Sequence, residues 1–415
     1  MFPTIRRQPR YAVGCALVAL AVMSAGAAWA EPSPSYADLL GRLENTPASN
    51  EANATVEAAE ARLRQAYARP NPTLNVQAEN FAGSGPYSNF SKTDLGVSVS
   101  QNLELWGRRP ARINAARGDA EVANRSRRLA ILDAAGRLAL VYAEAEAAER
   151  RAKLAEERLS LSLADARAAL ALVEQGREPL LRGIQAESEA ASARAALDEA
   201  KAEMESAFAR LTAVAMLTQP VTTVTDTLLD ARATSDSSQT NAPTVDLAEA
   251  QMSAAERRIA IERVRTAPDL TATVGVTRFN DNQTAVTVGV SMPLPLFDRN
   301  KGNIDAAQAE FRAAEARVMQ ARQDAEADRA AAVARLAAST SRVSAADAGV
   351  ASAQEAYRLS RLGAEAGRIS QLELRVSRSA LITASNAAVD ARLARVRAEI
   401  DLARLEGRAP FQGTL

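Results

Sequence analysis

The sequence predicts a mainly α-helical chain with a transmembrane β-barrel portion, assembled from a helix–β-hairpin–long helix unit used twice. Three observations lead there. First, the chain repeats itself: in register Leu103 falls on Leu294, Leu105 on Leu296, Trp106 on Phe297 and Arg108 on Arg299, and the same offset lays Gly176 on Gly367 and Arg177 on Arg368. Second, four segments alternate apolar and polar residues over a length that crosses a bilayer. Third, two alanine-rich stretches are too long for the helices of a globule. A duplication of this size means one architecture built from two copies.

Residues 1–30 read as a signal peptide rather than part of the fold. Arg6, Arg7 and Arg10 form a basic start, Ala12 to Gly26 an apolar core, and Ala28-Trp29-Ala30 a small-x-small cleavage site before Glu31. A transmembrane anchor fits less well, because the apolar run is short and ends in small residues. Cys15 precedes most of that run, so it does not make a lipidation site. The first repeat then spans 31–218, a linker 219–245, the second repeat 246–408 and a tail 409–415. The linker holds Thr-Val-Thr-rich sequence, Ser235 to Ser238 and Pro243, and is expected beside the mature N-terminus and the Pro410 tail.

Strands are expected over about 73–82, 93–103, 269–279 and 284–292. Leu74, Val76 and Ala78 oppose Asn75, Gln77 and Glu79; Leu95, Val97 and Val99 oppose Gly96, Ser98 and Ser100. In the second copy Leu270, Ala272, Val274 and Val276 oppose Thr271, Thr273, Gly275 and Thr277, and Val286, Val288, Val290 and Met292 oppose Thr287, Gly289 and Ser291. Period two with one apolar face marks a half-buried strand. Segments of roughly 9–11 residues span a bilayer when tilted.

Soluble hairpins packed on the helices are the alternative, and two features weigh against it. Phe81, Tyr87, Phe90, Trp106, Phe279 and Phe297 gather at strand ends or in the hairpin loop, as interfacial girdles do. The polar faces carry mostly Ser, Thr, Gly, Asn and Gln, which suits a wet lumen. Four strands cannot close a barrel, and open edges in lipid are prohibitive, so the chain must oligomerise. Two copies would give eight strands and a plugged lumen, three would give twelve and an open one; the polar lumen favours three.

Long helices are expected over about 109–174 and 180–211, and again over 303–362 and 371–405. After Pro110 the first has no proline and few glycines, with leucines and valines at helical spacing. At 1.5 Å per residue it is on the order of 100 Å long. Gly176-Arg177-Glu178-Pro179 reverses the chain in the first copy and Gly363–Ser370 in the second. A solvated coiled-coil rod would explain the helices alone, but not the hairpins at the base of both copies. Pro70, Pro72 and Pro110, and Pro268, Pro293 and Pro295, sit where strand and helix meet and turn the backbone there.

Composition removes several classes of function. Lysine plus arginine equals aspartate plus glutamate, 50 each, so no basic field favours nucleic acid. Histidine is absent and Cys15 is the single cysteine. The mature chain therefore lacks the two residue types most used for transition-metal ligation and for acid–base work near neutral pH. Carboxylate pairs such as Glu156-Glu157 read as solvated helix faces. No enzyme chemistry, cofactor or resident metal is expected.

Together these residues resemble the TolC-type outer-membrane factor family over essentially the whole mature length, within it the branch paired with cobalt–zinc–cadmium resistance-nodulation-division pumps. The resemblance is carried by Asn71-Pro72-Thr73-Leu74, by Glu79 to Gly85, by Pro293-Leu294-Pro295-Leu296-Phe297-Asp298-Arg299-Asn300 and by Gly367 to Glu373. It implies a homotrimer in the outer membrane of a Gram-negative bacterium, its twelve-stranded barrel continued by a twelve-helix tunnel across the periplasm. The partners implied are a periplasmic adaptor and an inner-membrane pump. By the same resemblance the tips, at Gly176, Arg177 and Leu180 and at Gly367, Arg368, Ile369 and Ser370, dock the adaptor. Glu373 matches an inward carboxylate that narrows the closed pore, whereas Val376 stands where a second acid is often found. Phe81, Trp106, Phe279 and Phe297 are the expected barrel-interface aromatics.

The function expected is a passive exit duct of a tripartite efflux system, conducting heavy-metal cations. A duct for drugs or for type I secretion shares the architecture. A soluble periplasmic coiled-coil adaptor is the alternative of another class.

Overall fold

A computed structural model describes residues 33–88, 90–231 and 242–411. The expected signal peptide lies outside the described residues, as do 232–241 of the linker and 412–415 of the tail. Two compact units make up the rest: residues 33–35 with 144–227, and residues 36–143 with 228–411. The long helix α3 contributes its C-terminal part to the first and its N-terminal part to the second.

The second unit opens with α1 (Tyr36–Gly41) and α2 (Pro47–Tyr67). Thr46 starts α2 in the usual way: its hydroxyl accepts from the Ser49 amide at 3.4 Å, and Pro47 occupies a position where no donor is needed. After Pro70 and Pro72 the chain extends into β1 (Thr73–Glu79) and β2 (Asp94–Leu103). The N-terminal part of α3 (Arg108–Glu174) follows. Beyond the linker come α5 (Pro243–Val264), β3 (Leu270–Arg278), β4 (Thr284–Ser291), α6 (Lys301–Glu365) and α7 (Gln371–Leu405); α4 (Leu180–Val214) belongs to the first unit. Some bounds differ from the expected ones for local reasons. The strand expected over 73–82 stops at Glu79, because Asn80 takes a left-handed φ of 56°. The helix after the linker begins already at Pro243, inside the segment 219–245, since proline suits a first helical turn.

The strands form one antiparallel sheet in the order β1-β2-β3-β4. Val76 pairs with Val97, Val97 with Val276 and Val276 with Val286. The two hairpins are thus joined by β2 and β3, and β1 and β4 are left as open edges. In β2 the apolar residues Leu95, Val97 and Val99 are exposed while Gly96, Ser98 and Ser100 are half-buried. Gly275 lets β2 approach β3 closely: a Cβ there would meet the Ser98 Cβ at 2.7 Å and the Val97 carbonyl at 3.0 Å.

Burial concentrates where α3, α7 and the start of this unit meet. Leu138, Tyr142, Leu228, Leu229 and Val396 are fully enclosed. The Tyr36 ring packs edge-on against Tyr142 and Phe411, at 5.8 and 6.4 Å between centroids, and its hydroxyl donates to the Pro410 carbonyl at 2.9 Å. Burial raises this phenol well above the usual tyrosine range. Arg395 of α7 holds the entering linker by donating to the Leu229 and Ala231 carbonyls at 2.9 and 2.7 Å.

The first unit pairs the C-terminal part of α3 with α4. Ala166, Ala186 and Ala190 form its contact, with Leu163 and Ala169 against them. Alanine brings the helix axes close, as the composition leads one to expect. Residues 217–227 are tied to α3 through Glu149, which accepts from the Thr223 hydroxyl at 3.0 Å, the Val224 amide at 3.1 Å and Lys153 at 2.7 Å. Burial alone would raise this carboxyl, but the three donors outweigh it and hold it below the usual glutamate range. Among the described residues no helix is long and apolar enough to cross a membrane.

Candidate functional site

The sheet has two chemically distinct faces, and cross-strand register decides which residue belongs to which. On the outward face stand Leu74, Val76 and Ala78, then Leu95, Val97, Val99, Gln101 and Leu103, and then Leu270, Ala272, Val274 and Val276 with Arg278 at the end. Thr284, Val286, Val288 and Val290 complete it. The large apolar members of this row are exposed, except Leu103 and Leu270 at the helix end, which are half-buried. The opposite face is lined by amides and hydroxyls that bond across strands: Asn75 Nδ2 donates to Ser100 Oγ at 3.2 Å, and Ser100 Oγ lies 3.0 Å from Thr273 Oγ1.

At the hairpin end the polar face becomes acidic. Glu79 and Asp94 are direct cross-strand partners, an arrangement of like charges that needs donors. Gln77 Nε2 supplies one to Glu79 at 2.7 Å. Asn80 Nδ2 and the Asn280 amide supply two to Asp94, at 2.9 and 3.0 Å. Asp94 thereby ties the loop after β3 to the start of β2.

At the other end, strand turns into helix at two corners built differently. In the first copy Trp106 and Gly107 take left-handed φ values of 58° and 76°. Arg108 then pairs with Asp269 and donates to the Ala267 carbonyl, and Arg112 pairs with Glu104 while donating to the Ala66 carbonyl. In the second copy Asn300 takes the left-handed turn, at φ 56°, and its side-chain amide donates to the Glu262 carbonyl and carboxylate at 2.9 and 3.0 Å. Of the expected interface aromatics, Trp106 and Phe297 sit at these corners and Phe81 and Phe279 just past the hairpin ends of β1 and β3. All four are exposed, Phe297 at 99%.

Each helical reversal closes the same way. After α3, Gly176 at φ 67° lets the Arg177 amide donate to the Leu172 carbonyl at 2.9 Å and its own amide to Val173 at 2.9 Å. After α6, Gly367 at φ 70° lets Arg368 donate to Gly363 at 2.8 Å and Gly367 to Ala364 at 3.0 Å. This is the glycine-terminated helix end in which only a residue without a Cβ enters the left-handed region freely. The next helix starts differently in the two places. Pro179 precedes α4 without a side-chain cap, leaving Leu180, Leu181 and Ile184 exposed.

Ser370 caps α7 with a reciprocal pair: its hydroxyl accepts from the Glu373 amide at 3.3 Å, and the Glu373 carboxylate accepts from the Ser370 amide at 3.0 Å. Ile369 packs onto Gly363 so closely that a Cβ there would meet Ile369 Cδ1 at 2.6 Å. Glu373, singled out by sequence as a pore carboxylate, therefore already serves as half of a capping box. Missed by the sequence reading were Asp94 and Asp269, which have partners remote in sequence, Glu104, whose partner Arg112 lies eight residues on across the corner, and Arg278, whose place on the outward face was readable from the alternation.

An outward apolar row, a hydroxyl-lined inner face and two glycine-closed helical reversals are the features of a membrane-spanning duct. The sequence profile described as Outer membrane efflux protein matches residues 42–215 and 234–408, and the chain belongs to that family.

Its relatives narrow the setting. The nickel-cobalt-cadmium resistance protein NccC of Alcaligenes xylosoxydans xylosoxydans is 38% identical over 320 residues, covering 75% of this chain and 72% of that one. The nickel and cobalt resistance protein CnrC of Cupriavidus metallidurans is 37% identical over 322 residues, covering 77% and 76%. The Campylobacter jejuni CmeC outer membrane channel shares the fold, with a TM-score of 0.73 at 15% identity over 99% of this chain and 96% of that one.

Proposed function

We propose that this protein is the passive outer-membrane exit of a tripartite efflux system and that its cargo is divalent heavy-metal cations. The observation that carries the reading is the four-stranded sheet, apolar outside, hydroxyl- and amide-lined inside, and open at both edges. Backbone groups at β1 and β4 have no water to bond in lipid. Three copies of four strands pair those edges into twelve, wide enough for a wet lumen. The same repetition would gather twelve long helices, four from each copy, into a periplasmic tunnel. In this reading each sequence repeat, 31–218 and 246–408, supplies one hairpin with its helices, and 219–245 joins them.

Metal cargo is favoured by the relatives, which are named for resistance to nickel, cobalt and cadmium. It also accords with a mature chain free of histidine and cysteine, since strong ligands along a path would hold a metal instead of passing it. Energy comes from an inner-membrane resistance-nodulation-division pump through a periplasmic adaptor, and the duct performs no chemistry. The adaptor meets Gly176, Arg177 and Leu180, and Gly367, Arg368, Ile369 and Ser370. Phe81, Trp106, Phe279 and Phe297 mark the two bilayer interfaces. Glu373 narrows the resting pore once its capping bond to Ser370 is exchanged for water.

The deciding experiment deletes the gene in its host and measures cadmium, cobalt and nickel tolerance beside erythromycin tolerance. Loss of metal tolerance alone is expected, restored by the wild-type gene. Loss of drug tolerance alone would move the cargo to organic compounds. In planar bilayers, Glu373→Ala should raise single-channel conductance and weaken block by divalent cations; unchanged conductance would remove Glu373 from the gate.

A further inference from the structure

Among the described residues, Arg278 is the one charged side chain on the outward face of the four strands, whose other members in register are apolar, Gln101 or Thr284. It ends β3 directly beyond Val276 and Val274, opposite Leu95 on β2 and Thr284 on β4. A charge at mid-bilayer on this face is costly, and the cost falls away toward the headgroups. Its place at the hairpin end thus puts it at an interface, where lipid tolerates a charge. With the helices on the periplasmic side, that end meets the outer leaflet. Phe279 follows it, and Phe81 and Phe90 flank the same end, all exposed, as aromatics at a headgroup boundary are.

Among the described residues no carboxylate answers the charge of Arg278. Nη2 donates to the Asn282 side-chain oxygen at 2.8 Å, a neutral partner that fixes the guanidinium over the turn. Glu79 and Asp94 lie at the same level but belong to the other face. A guanidinium held by one neutral bond, with its other donors facing lipid, fits a phosphate: planar, bidentate and opposite in charge.

We infer that Arg278 is a recognition site for the phosphate of an outer-leaflet glycolipid, which seats the barrel among phosphorylated lipids. The inference rests on the membrane-duct reading, since it needs the hairpin end in the outer leaflet. Around a three-copy barrel it would give three equivalent lipid contacts.

The test is native mass spectrometry of the purified full-length oligomer in detergent, titrated with bisphosphorylated lipid A and with its dephosphorylated form. The wild type is expected to favour the phosphorylated lipid by about tenfold, as one charge-assisted contact would give. Arg278→Gln should erase that preference and Arg278→Lys should keep a reduced one. A preference that survives in Arg278→Gln, or is absent from the wild type, overturns the site. Excess inorganic phosphate should compete poorly; full competition would make it a free-anion site and overturn the lipid assignment.

The same samples are run with and without heating on denaturing gels. An intact heat-modifiable oligomer with unchanged lipid preference sinks this inference alone. A wild type that forms no such oligomer sinks the duct reading and the lipid site together.

Discussion

Gly176 and Gly367 lie a whole repeat apart and close two helices with the same pair of backbone bonds. Each has a left-handed φ, and neither has an atom within 4 Å of where a Cβ would stand. The obstacle to substitution is therefore conformational, not steric crowding. Gly176→Ala and Gly367→Ala should each cost about 1 kcal/mol at the tip, seen as faster amide exchange at Arg177 or Arg368 with the rest unchanged.

Glu149 offers a test by pH. Its carboxyl is held low in the folded chain, so it contributes stability above the ordinary glutamate range. That contribution fades as pH falls through this range towards the lowered folded value. Protection of the Val224 amide, taken relative to intrinsic exchange, should fall as pH drops below the ordinary glutamate range, and Glu149→Gln should flatten that dependence.

At the scale of elements, Gly275 makes the close approach of β2 to β3 possible. Ser98 Cβ and the Val97 carbonyl stand too near for any side chain at that position. The latter is backbone, which cannot swing aside. Gly275→Val should force β2 and β3 apart, destabilising the oligomer by about 1–3 kcal/mol, measurable as a lower dissociation temperature on denaturing gels.

The strands and long helices are legible in the sequence because their periods are local: Val286-Thr287-Val288 alternates whatever surrounds it. The corners and caps are less so. Nothing in the neighbourhood of Arg108 announces Asp269, 161 positions on in number and joined to it only by the pairing of β2 with β3. Glu373 shows the converse, since a motif match pointed to the pore while Ser370, three residues before it, claims the carboxylate for capping. Local bonds of that kind are written in Ser-x-x-Glu spacing and were there to be read.

For the whole molecule, the outward row is the quantity to perturb. Val288→Arg places a charge at mid-row, away from the hairpin end, and should cost about 2–4 kcal/mol of membrane stability. Heat-modifiable oligomer should disappear from the outer-membrane fraction, while Val245→Ala in α5, far from the sheet in sequence, should leave it in place.

The sheet is complete within one chain at its three seams and unfinished at the outer edges of β1 and β4. In the proposed three-copy barrel a lone polypeptide zips its own hairpins at a pace independent of how much protein is made, and its last backbone bonds wait for a collision with a sibling. Maturation should slow sharply when expression is throttled. The waiting species, half-zipped with sticky flanks, is the form that periplasmic proteases and chaperones would meet.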